Sequence, residues 1–362
     1  MIMKITVDTI ELKKAFDKIF KVTAQKSRMS VLNNILVTAT ENSLYLSSCN
    51  LEQFAKMRIC ANSDIIAGNC SFILSDTKAI VKAMKFFTGL DTILEHDGEN
   101  VIITCEGKKA KQRTFEADEF PEFPQVGAAL TNDFNYSNSK LNERFNAVNY
   151  AVHAVSKDGY NPINTGICFK NNDMVACDGI RIALNKDYNL SVNGEFVVPP
   201  NAIKFVNEVL SEHIHVETDS KIIQASDQNA IIISRLLEGE FFNYMQILES
   251  RGDIDITVNT ADCINSLKYL KTFVNGQCGV TWAENKISVE NSGGYFESEI
   301  DITENISFPI DFNADYMMEA LSQFKGNVNF NIRTYLSPII ITSDNDSNNI
   351  ACLVPMKLKR AA

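Results

Sequence analysis

A short strand-and-helix unit recurs along this chain, and its recurrence limits the folds that the chain can adopt. The first copy, residues 5–22, has a β run, a break at Asp8 and Thr9, and then an amphipathic helix. The apolar residues of this helix fall on one stripe, and lysines fall between them. The stripe is Leu12, Phe16 and Ile19, and the lysines are Lys13, Lys14, Lys18 and Lys21. The helix is therefore predicted to bury one face and to present a basic face on its other side.

Five further copies of the unit are predicted. Strand-like segments near residues 72–76, 134–137, 196–199, 254–258 and 308–312 precede predicted helices over 77–87, 140–152, 201–210, 261–273 and 315–324, respectively. Each copy has Ser, Asp, Asn or Pro where a helix N-cap belongs. The sequence between the helices is rich in strand-like alternation and turn signals. Pairing the copies predicts an α+β protein of three repeated domains, at residues 1–127, 132–250 and 252–362.

The charge distribution differs between the predicted helices and the rest of the chain. The net charge is −11, which by itself argues against a nucleic-acid partner. Six helical stretches, however, hold 13 of the 34 basic residues and only 8 of the 45 acidic residues, when counted over 11–22, 76–88, 139–152, 200–210, 261–273 and 314–325. Lysines favour exposed helix faces in many proteins, which is one explanation. The other is that these helices share a surface facing a polyanion, where Lys and Arg neutralise phosphates without reading sequence.

Sequence motifs for catalysis are absent from the chain. It has no GxxxxGK[ST], GxGxxG, GxSxG or HExxH motif. The four histidines have no Cys or carboxylate spacing that completes a metal site, so neither a metal nor a cofactor is expected. The nine cysteines are odd in number and form no CxxC, which favours buried reduced thiols. No signal peptide or transmembrane run is visible, so a cytoplasmic protein is expected.

Several stretches together resemble the bacterial sliding clamps, the β subunits of DNA polymerase III. The matching segments are VLNNIL at 31–36, SSCNLEQF at 47–54, ADEFP at 117–121, VACDGIRIAL at 175–184, FVVP at 196–199, LLEGEFFNYMQIL at 236–248 and LVPMKL at 353–358. They keep the family order and extend from end to end. The resemblance implies antiparallel sheets outside and helices inside each repeated domain, and a head-to-tail homodimer that forms a ring around duplex DNA. It implies a non-catalytic processivity factor that tethers the replicative polymerase, the clamp loader and other clamp-motif proteins, with no membrane partner.

The resemblance also implies a pocket that accepts a short peptide motif of partner proteins, typically a Gln followed by aliphatic and aromatic residues. The predicted pocket residues are Ile163, Asn164, Cys177, Gly179, Ile180, Arg181, Ile182, Phe242, Gln246, Ile247, Tyr316, Leu336, Pro338, Cys352, Val354, Pro355 and Met356. The chain departs from the usual family pattern at Asn161, Asn164, Ile180 and Phe242. An apolar floor, a flexible Met and a few polar groups suit a peptide anchor.

Two further surfaces follow from the resemblance and from position in the predicted helices and loops. The residues predicted to contact DNA are Lys26, Lys78, Lys140, Arg144 and Lys157. The subunit interface is predicted to join the strand near 108–115, with Ala110 and Gln112, to the helix end at Phe273 and Val274 of the other chain. Two alternatives to the clamp remain at this point: a soluble enzyme with a site between repeated domains, and a repeat-built protein scaffold with no nucleic-acid role.

Overall fold

The structure is a computed structural model that describes residues 3–358, apart from 25, 68–69, 128–149, 172, 187–191, 211–213 and 275–277. The chain divides into two compact units. The first unit comprises residues 1–142 and 201–236, and the second comprises 143–200 and 237–362. These two units do not test the predicted division into three domains, which stays a prediction.

The first unit is built on one antiparallel sheet of eleven strands. Its strands are β1 (Met3–Asp8), β2 (Leu36–Ala39), β3 (Ser43–Cys49), β4 (Gln53–Ala67), β5 (Cys70–Leu74), β6 (Asp91–His96), β7 (Asn100–Cys105), β8 (Lys108–Glu116), β13 (His215–Thr218), β14 (Ile222–Ser226) and β15 (Ala230–Arg235). They are hydrogen-bonded in the order β1-β6-β7-β8-β5-β2-β3-β4-β15-β14-β13. β1 also pairs with the second half of β4. The eight strands numbered β1 to β8 are therefore hydrogen-bonded in a closed circle, with β4 as the last strand joined to β1.

The second unit contains two antiparallel sheets. Its strands are β9 (Ile167–Asn171), β10 (Asp173–Cys177), β11 (Arg181–Lys186), β12 (Val192–Val198), β16 (Ile254–Asn259), β17 (Gly279–Glu284), β18 (Lys286–Asn291), β19 (Gly294–Glu299), β20 (Ile306–Asn313), β21 (Asn327–Ile332), β22 (Ile339–Ser343) and β23 (Asp346–Leu353). Eight of them have the order β12-β9-β10-β11-β23-β22-β21-β16, and the other four have the order β19-β18-β17-β20. Trp282 and Phe330 pack edge to face in the core, with ring centroids 5.2 Å apart.

Helices follow strands as the repeated unit predicts. The α-helices are α1 (Thr9–Phe20), α2 (Thr77–Met84), α3 (Pro200–Val209), α4 (Met245–Leu248), α5 (Thr260–Lys271) and α6 (Ala314–Leu321), and 3-10 turns span Ser30–Asn33, Ala117–Glu119 and Pro162–Thr165. Five of the six predicted units are confirmed. The other one, with its helix over 140–152, lies mostly outside the described residues, and residues 150–152 at its end are helical.

Side-chain caps explain where these helices begin. Asp8 accepts a hydrogen bond from the backbone N–H of Glu11 at 2.8 Å, and Asp76 accepts one from Ala79 at 2.9 Å. Asn259 and Asn313 cap α5 and α6 in the same way. Each cap satisfies a backbone donor that the first helical turn leaves unpaired. The strand therefore changes to helix at a residue that the sequence marks.

The first helix buries the predicted apolar stripe, but its lysines are partly engaged. Leu12, Phe16 and Ile19 are at most 1% exposed. Lys18 Nζ donates to the carbonyl of Val209 at 2.9 Å, and Lys21 pairs with Glu208 at 3.4 Å. The Nζ of Lys13 donates to a carbonyl at 3.1 Å. Burial lowers the pKa of Lys18. Three of the four lysines therefore bind groups of their own chain, which a periodicity argument does not reveal.

Candidate functional site

Six of the predicted pocket residues, all of them apolar, meet in one cluster of the second unit. Cys177 on β10 pairs with Ile182 on β11, which pairs in turn with Cys352 on β23. These three residues and Ile163 are at most 6% exposed and belong to the same hydrophobic cluster. Phe242 and Ile247 are partly buried and pack against it. We call these six residues, Ile163, Cys177, Ile182, Phe242, Ile247 and Cys352, the pocket cluster.

Burial keeps the thiols of this cluster uncharged. It raises the pKa of Cys177 to about 11, and it raises the pKa of Cys352 to about 12. A thiol with such a pKa is protonated at neutral pH and behaves as a small apolar side chain. The floor of the cluster is therefore apolar in spite of its two cysteines.

A tight turn at 178–181 joins β10 to β11 beside the cluster. Gly179 has φ +91°, a left-handed conformation that suits a residue without a Cβ. The Asp178 carboxylate accepts hydrogen bonds from the backbone N–H groups of Ile180 and Arg181, both at 3.0 Å. The Asp-Gly pair thus fixes the turn and leaves Ile180 45% exposed at its tip.

Arg181 connects this turn to α6. Its side chain is 4% exposed, and its Nε donates to Asp178 at 2.9 Å. Its guanidinium lies over the ring of Tyr316, 4.1 Å from the centroid, and also pairs with Glu319. The planar guanidinium can hold two carboxylates and an aromatic face at once, which a Lys ammonium does not. Arg181 is therefore a positioning residue that holds Tyr316 beside the turn.

The C-terminal segment runs along the same region. The backbone N–H of Val354 donates to the carbonyl of Ile180 at 2.8 Å, and that of Met356 donates to the carbonyl of Asp311 at 2.7 Å. A cavity of about 530 Å³ lies along this segment. Its lining residues are Phe308, Pro309, Asp311, Tyr335, Leu336, Met356, Lys357 and Leu358. Two of them, Leu336 and Met356, belong to the predicted pocket.

The other predicted pocket residues are more exposed. Gly179, Gln246 and Val354 are exposed, and Asn164, Pro338 and Pro355 have intermediate exposure. The carbonyl of Asn164 accepts a hydrogen bond from the backbone N–H of Ser156 at 2.8 Å. The structure therefore buries Ile163, Cys177, Ile182 and Cys352 of the predicted pocket together, and leaves Ile180, Leu336 and Val354 at its exposed margin.

Sequence reasoning missed several members of this region. Phe241 and Tyr244 are buried in the same hydrophobic cluster, and the Tyr244 hydroxyl donates to Asp173 at 2.6 Å. The pairing of Glu319 with Arg181 was also missed. Two sequence signals could have found Phe241 and Tyr244. They are the aromatic run at 241–244 and the strand-like alternation before Asp173. No local signal exists for Glu319, because 138 residues separate it from its partner.

The residues predicted to contact DNA are only partly within the described chain. Lys26, Lys78 and Lys157 are exposed. Lys78 lies in the first turn of α2. Lys140 and Arg144 lie outside the described residues. Exposure leaves the three described lysines accessible to a polyanion.

The predicted interface residues have contacts that the sequence did not indicate. The side-chain oxygen of Gln112 accepts hydrogen bonds from the Ser75 hydroxyl at 3.0 Å and from the Asp76 backbone at 2.8 Å. The side chain of Gln112 thus stabilises the start of α2. Phe273 stacks on Phe296 with ring centroids 3.9 Å apart. Ala110 and Val274 have intermediate exposure.

The described residues contain no candidate for either a metal site or a membrane-spanning helix. Within the described ranges, His, Cys, Asp and Glu side chains form no group of three or more that could hold a metal ion. None of the helices in the described part of the chain is both long enough and apolar enough to cross a membrane.

The N-terminal third matches a known family, and a curated relative aligns with nearly the whole chain. Residues 3–124 match the family model of the DNA polymerase III beta subunit, N-terminal domain. The beta sliding clamp of Chlamydia trachomatis is 20% identical over 381 aligned residues, which cover 99% of this chain and 88% of the relative.

Solved structures share the fold. The crystal structure of the DNA polymerase sliding clamp from Caulobacter crescentus has a TM-score of 0.88 and 18% identity, and covers 98% of this chain and 100% of that one. The Helicobacter pylori beta clamp, solved bound to a DNA ligase peptide, has a TM-score of 0.79 and 17% identity with the same coverage. At these identities the likeness concerns the fold, which is that of the sliding clamps.

Proposed function

We propose that this chain is a sliding clamp of the DNA polymerase III beta subunit family, whose N-terminal-domain model its residues 3–124 match. As a homodimer it encircles duplex DNA and tethers the replicative polymerase and other partners. The observation that carries this proposal is the match of fold over 98–99% of the chain to clamps, together with the family model over residues 3–124. The same matches favour a clamp over a soluble enzyme with a site between domains.

The proposed activity is mechanical and makes or breaks no bond. A ring closed around DNA can slide but does not dissociate, and a polymerase bound to the ring stays near the primer end. The tether replaces a bimolecular rebinding step by an intramolecular one, so the effective concentration of polymerase at the template is high. Processivity follows from that concentration and requires no sequence-specific DNA contact.

The pocket cluster is the proposed anchor for partner peptides. Its apolar floor, with Ile182 and Cys352 nearly buried and Ile247 partly exposed, suits aliphatic and aromatic side chains of an inserted motif. Ile180, Leu336 and Val354 are 37–45% exposed and offer further apolar contact at its margin. The clamp loader and the polymerase would compete for this one site on each chain.

Opposite charges on two strand edges support the proposed head-to-tail closure. Residues 108–113 of β8 pair on one side with β7, and in the described chain their other side is open. Three cations of this strand, Lys109, Lys111 and Arg113, alternate along it and are exposed. On β19, Glu297 and Glu299 are exposed in the same alternation, and β19 ends the order of its sheet. An edge strand with open backbone groups can pair with a strand of another chain, and opposite charges select the partner.

DNA contact is proposed to be independent of sequence. Lys26, Lys78 and Lys157, with Lys140 and Arg144, would neutralise phosphates at the inner surface of the ring. We also propose three clamp domains, at 1–127, 132–250 and 252–362, and a cytoplasmic location, where chromosomal DNA of a bacterium lies.

The solution mass and shape of the protein test the ring. The chain has a mass of 40.4 kDa. We expect sedimentation to give twice this mass and small-angle scattering to give a hollow shape with a central hole. A monomer at every concentration, or a compact dimer without a hole, would contradict the proposal.

A further inference from the structure

The first of the repeated units and the one that begins with β16 correspond residue by residue. Ile5-Thr6-Val7-Asp8-Thr9 matches Ile256-Thr257-Val258-Asn259-Thr260. The helices that follow, α1 and α5, have twelve residues each and are both capped by the residue before them. With these helices aligned from their first residues, Tyr269 takes the position of Lys18, and Thr272 takes the position of Lys21.

The units that contain α2 and α3 can be aligned with each other in the same way. α2 begins at Thr77 and α3 begins at Pro200. Aligning these first residues places Ala79 and Ile80 on Ala202 and Ile203, which are identical pairs. In this alignment Phe86 takes the position of Val209, and Lys85 takes the position of Glu208.

The structure shows how two such helices meet. The end of α1 reaches the end of α3, where Lys18 Nζ donates to the carbonyl of Val209 at 2.9 Å. Lys21 and Glu208 form an ion pair one turn further on, at 3.4 Å. The corresponding helices, α5 and α2, lie far apart in the sequence, at Thr260–Lys271 and Thr77–Met84. In a ring of chains joined head to tail, the same kind of helix contact would recur between α5 of one chain and α2 of the next.

We propose that Tyr269 of one chain packs against Phe86 of the next, and that this aromatic contact is a main source of dimer affinity. The inference rests on the proposed ring and adds to it the residues that hold it closed. Phe86 is 69% exposed and Tyr269 is 49% exposed, large values for aromatic side chains at helix ends. Val209, at the position of Phe86, is 1% exposed. A position that is covered as Val209 in one copy of the contact, and that carries an exposed Phe86 in the other, indicates a partner surface.

Neighbouring aromatic residues connect this contact to the strand edge. Tyr269 packs edge to face on Phe273 at 5.2 Å between ring centroids, and Phe273 stacks on Phe296 of β19 at 3.9 Å. The row therefore extends from the exposed helix face to the acidic edge proposed to meet β8. The aromatic row is continuous with the proposed interface between β19 and β8. It supplies apolar contact area, which Ala110 and Gln112 of β8 do not provide.

The contact between α5 and α2 would differ in chemistry from the contact between α1 and α3. Lys21 and Glu208 attract each other, whereas Thr272 and Lys85 at the corresponding positions do not form an ion pair. The apolar contact between Phe86 and Tyr269 takes the place of the charged one. Aromatic pairs buried at an interface are common sites of concentrated binding energy.

Dimer dissociation of single and double variants tests the contact. We expect Phe86→Ala and Tyr269→Ala each to raise the dissociation constant of the dimer by about tenfold or more. The double variant should be less weakened than the two effects multiplied, because the two residues share one contact. Leu51→Ala, at an apolar residue 44% exposed elsewhere on the first unit, is the matched control and should leave dissociation unchanged.

Cross-linking gives a readout that does not depend on affinity. An equimolar mixture of Phe86→Cys and Tyr269→Cys chains should form a covalent dimer on oxidation, and either chain alone should not. If the parent protein is a dimer, but the alanine variants dissociate like the parent and the mixture does not cross-link, the contact is refuted and the ring stands. If the parent is a monomer at every concentration, both the ring and this contact are refuted.

Discussion

The guanidinium of Arg181 lies 4.1 Å from the centre of the Tyr316 ring. Arg181 follows the Asp-Gly turn beside the pocket cluster, and Tyr316 lies in α6. One buried cation thus links the two sides of the proposed peptide site. The network that holds it, with Asp178 and Glu319, makes Arg181 the side chain on which the geometry of this region depends.

Removing Arg181 should destabilise the protein. In Arg181→Met, the Asp178 carboxylate, whose side chain is 11% exposed, keeps its burial but loses its charged partner. We expect the free energy of unfolding to fall by about 3 kcal/mol, because a buried charge is left uncompensated. Urea unfolding followed by circular dichroism measures it. Glu319→Gln is the control and should cost less than about 1 kcal/mol, because the Glu319 side chain is 44% exposed.

Truncating the pocket should weaken peptide binding without unfolding the chain. Ile247→Ala combined with Met356→Ala removes apolar side chains on two sides of the proposed site. We expect the dissociation constant of a peptide with a Gln followed by aliphatic and aromatic residues to rise about tenfold or more. Fluorescence anisotropy of a labelled peptide measures it. Met29→Ala, at an exposed Met of the first unit, should bind like the parent, and unchanged affinity of the double variant would refute the pocket.

His96 should make stability depend on pH. Its ring stacks on Phe72 and contacts Cys70 and Thr114, and burial lowers its pKa although Asp97 and Glu116 act in the other direction. The unfolded chain, with a pKa near 6.5, takes up a proton first as the pH falls. The stabilisation is therefore complete above about pH 6.5 and is lost as the pH falls through the lower pKa of the folded state.

A variant isolates this effect from the titration of carboxylates. We expect the free energy of unfolding of His96→Gln to fall less than that of the parent between about pH 7 and pH 5. Urea titrations at three pH values measure both slopes. Equal slopes for the two proteins would show that His96 does not contribute.

The exposed lysines should determine the salt dependence of DNA binding. Replacing Lys26, Lys78 and Lys157 by Gln should reduce the slope of log affinity against log salt by about 1 for each of these lysines that neutralises a phosphate. Binding of a short duplex at several salt concentrations measures the slope. Lys170→Gln is the control, because Lys170 pairs with Glu195 at 2.6 Å on the chain itself. A triple variant with the slope of the parent would place DNA contact elsewhere.

Much of the fold was predictable because local signals specify it. Apolar spacing places Leu12, Phe16 and Ile19 on one buried stripe, and Asp8 or Asn259 marks where a strand changes to helix. These rules act over four or five residues, so a single sequence contains them. The same rules located five strand-helix units.

The rest depended on contacts between residues far apart in the sequence. Lys18 donates to Val209, and Gln112 accepts hydrogen bonds from Ser75 and Asp76, at separations that periodicity does not encode. The family resemblance named the pocket residues, Arg181 among them, while the contacts of Asp178 and Glu319 with Arg181 came only from the structure. Side-chain pairing across a fold is therefore the part that the sequence left open.

Retention on circular DNA tests the clamp most directly. The protein is loaded by a clamp loader onto a nicked circular duplex, and the bound fraction is measured by gel filtration in high salt before and after a restriction enzyme cuts the circle. A ring that encloses DNA stays on the circle and leaves through the new ends, so we predict that the bound protein dissociates on cutting. Protein that stays bound to the linear DNA, or that never remains on the circle in high salt, would contradict the account.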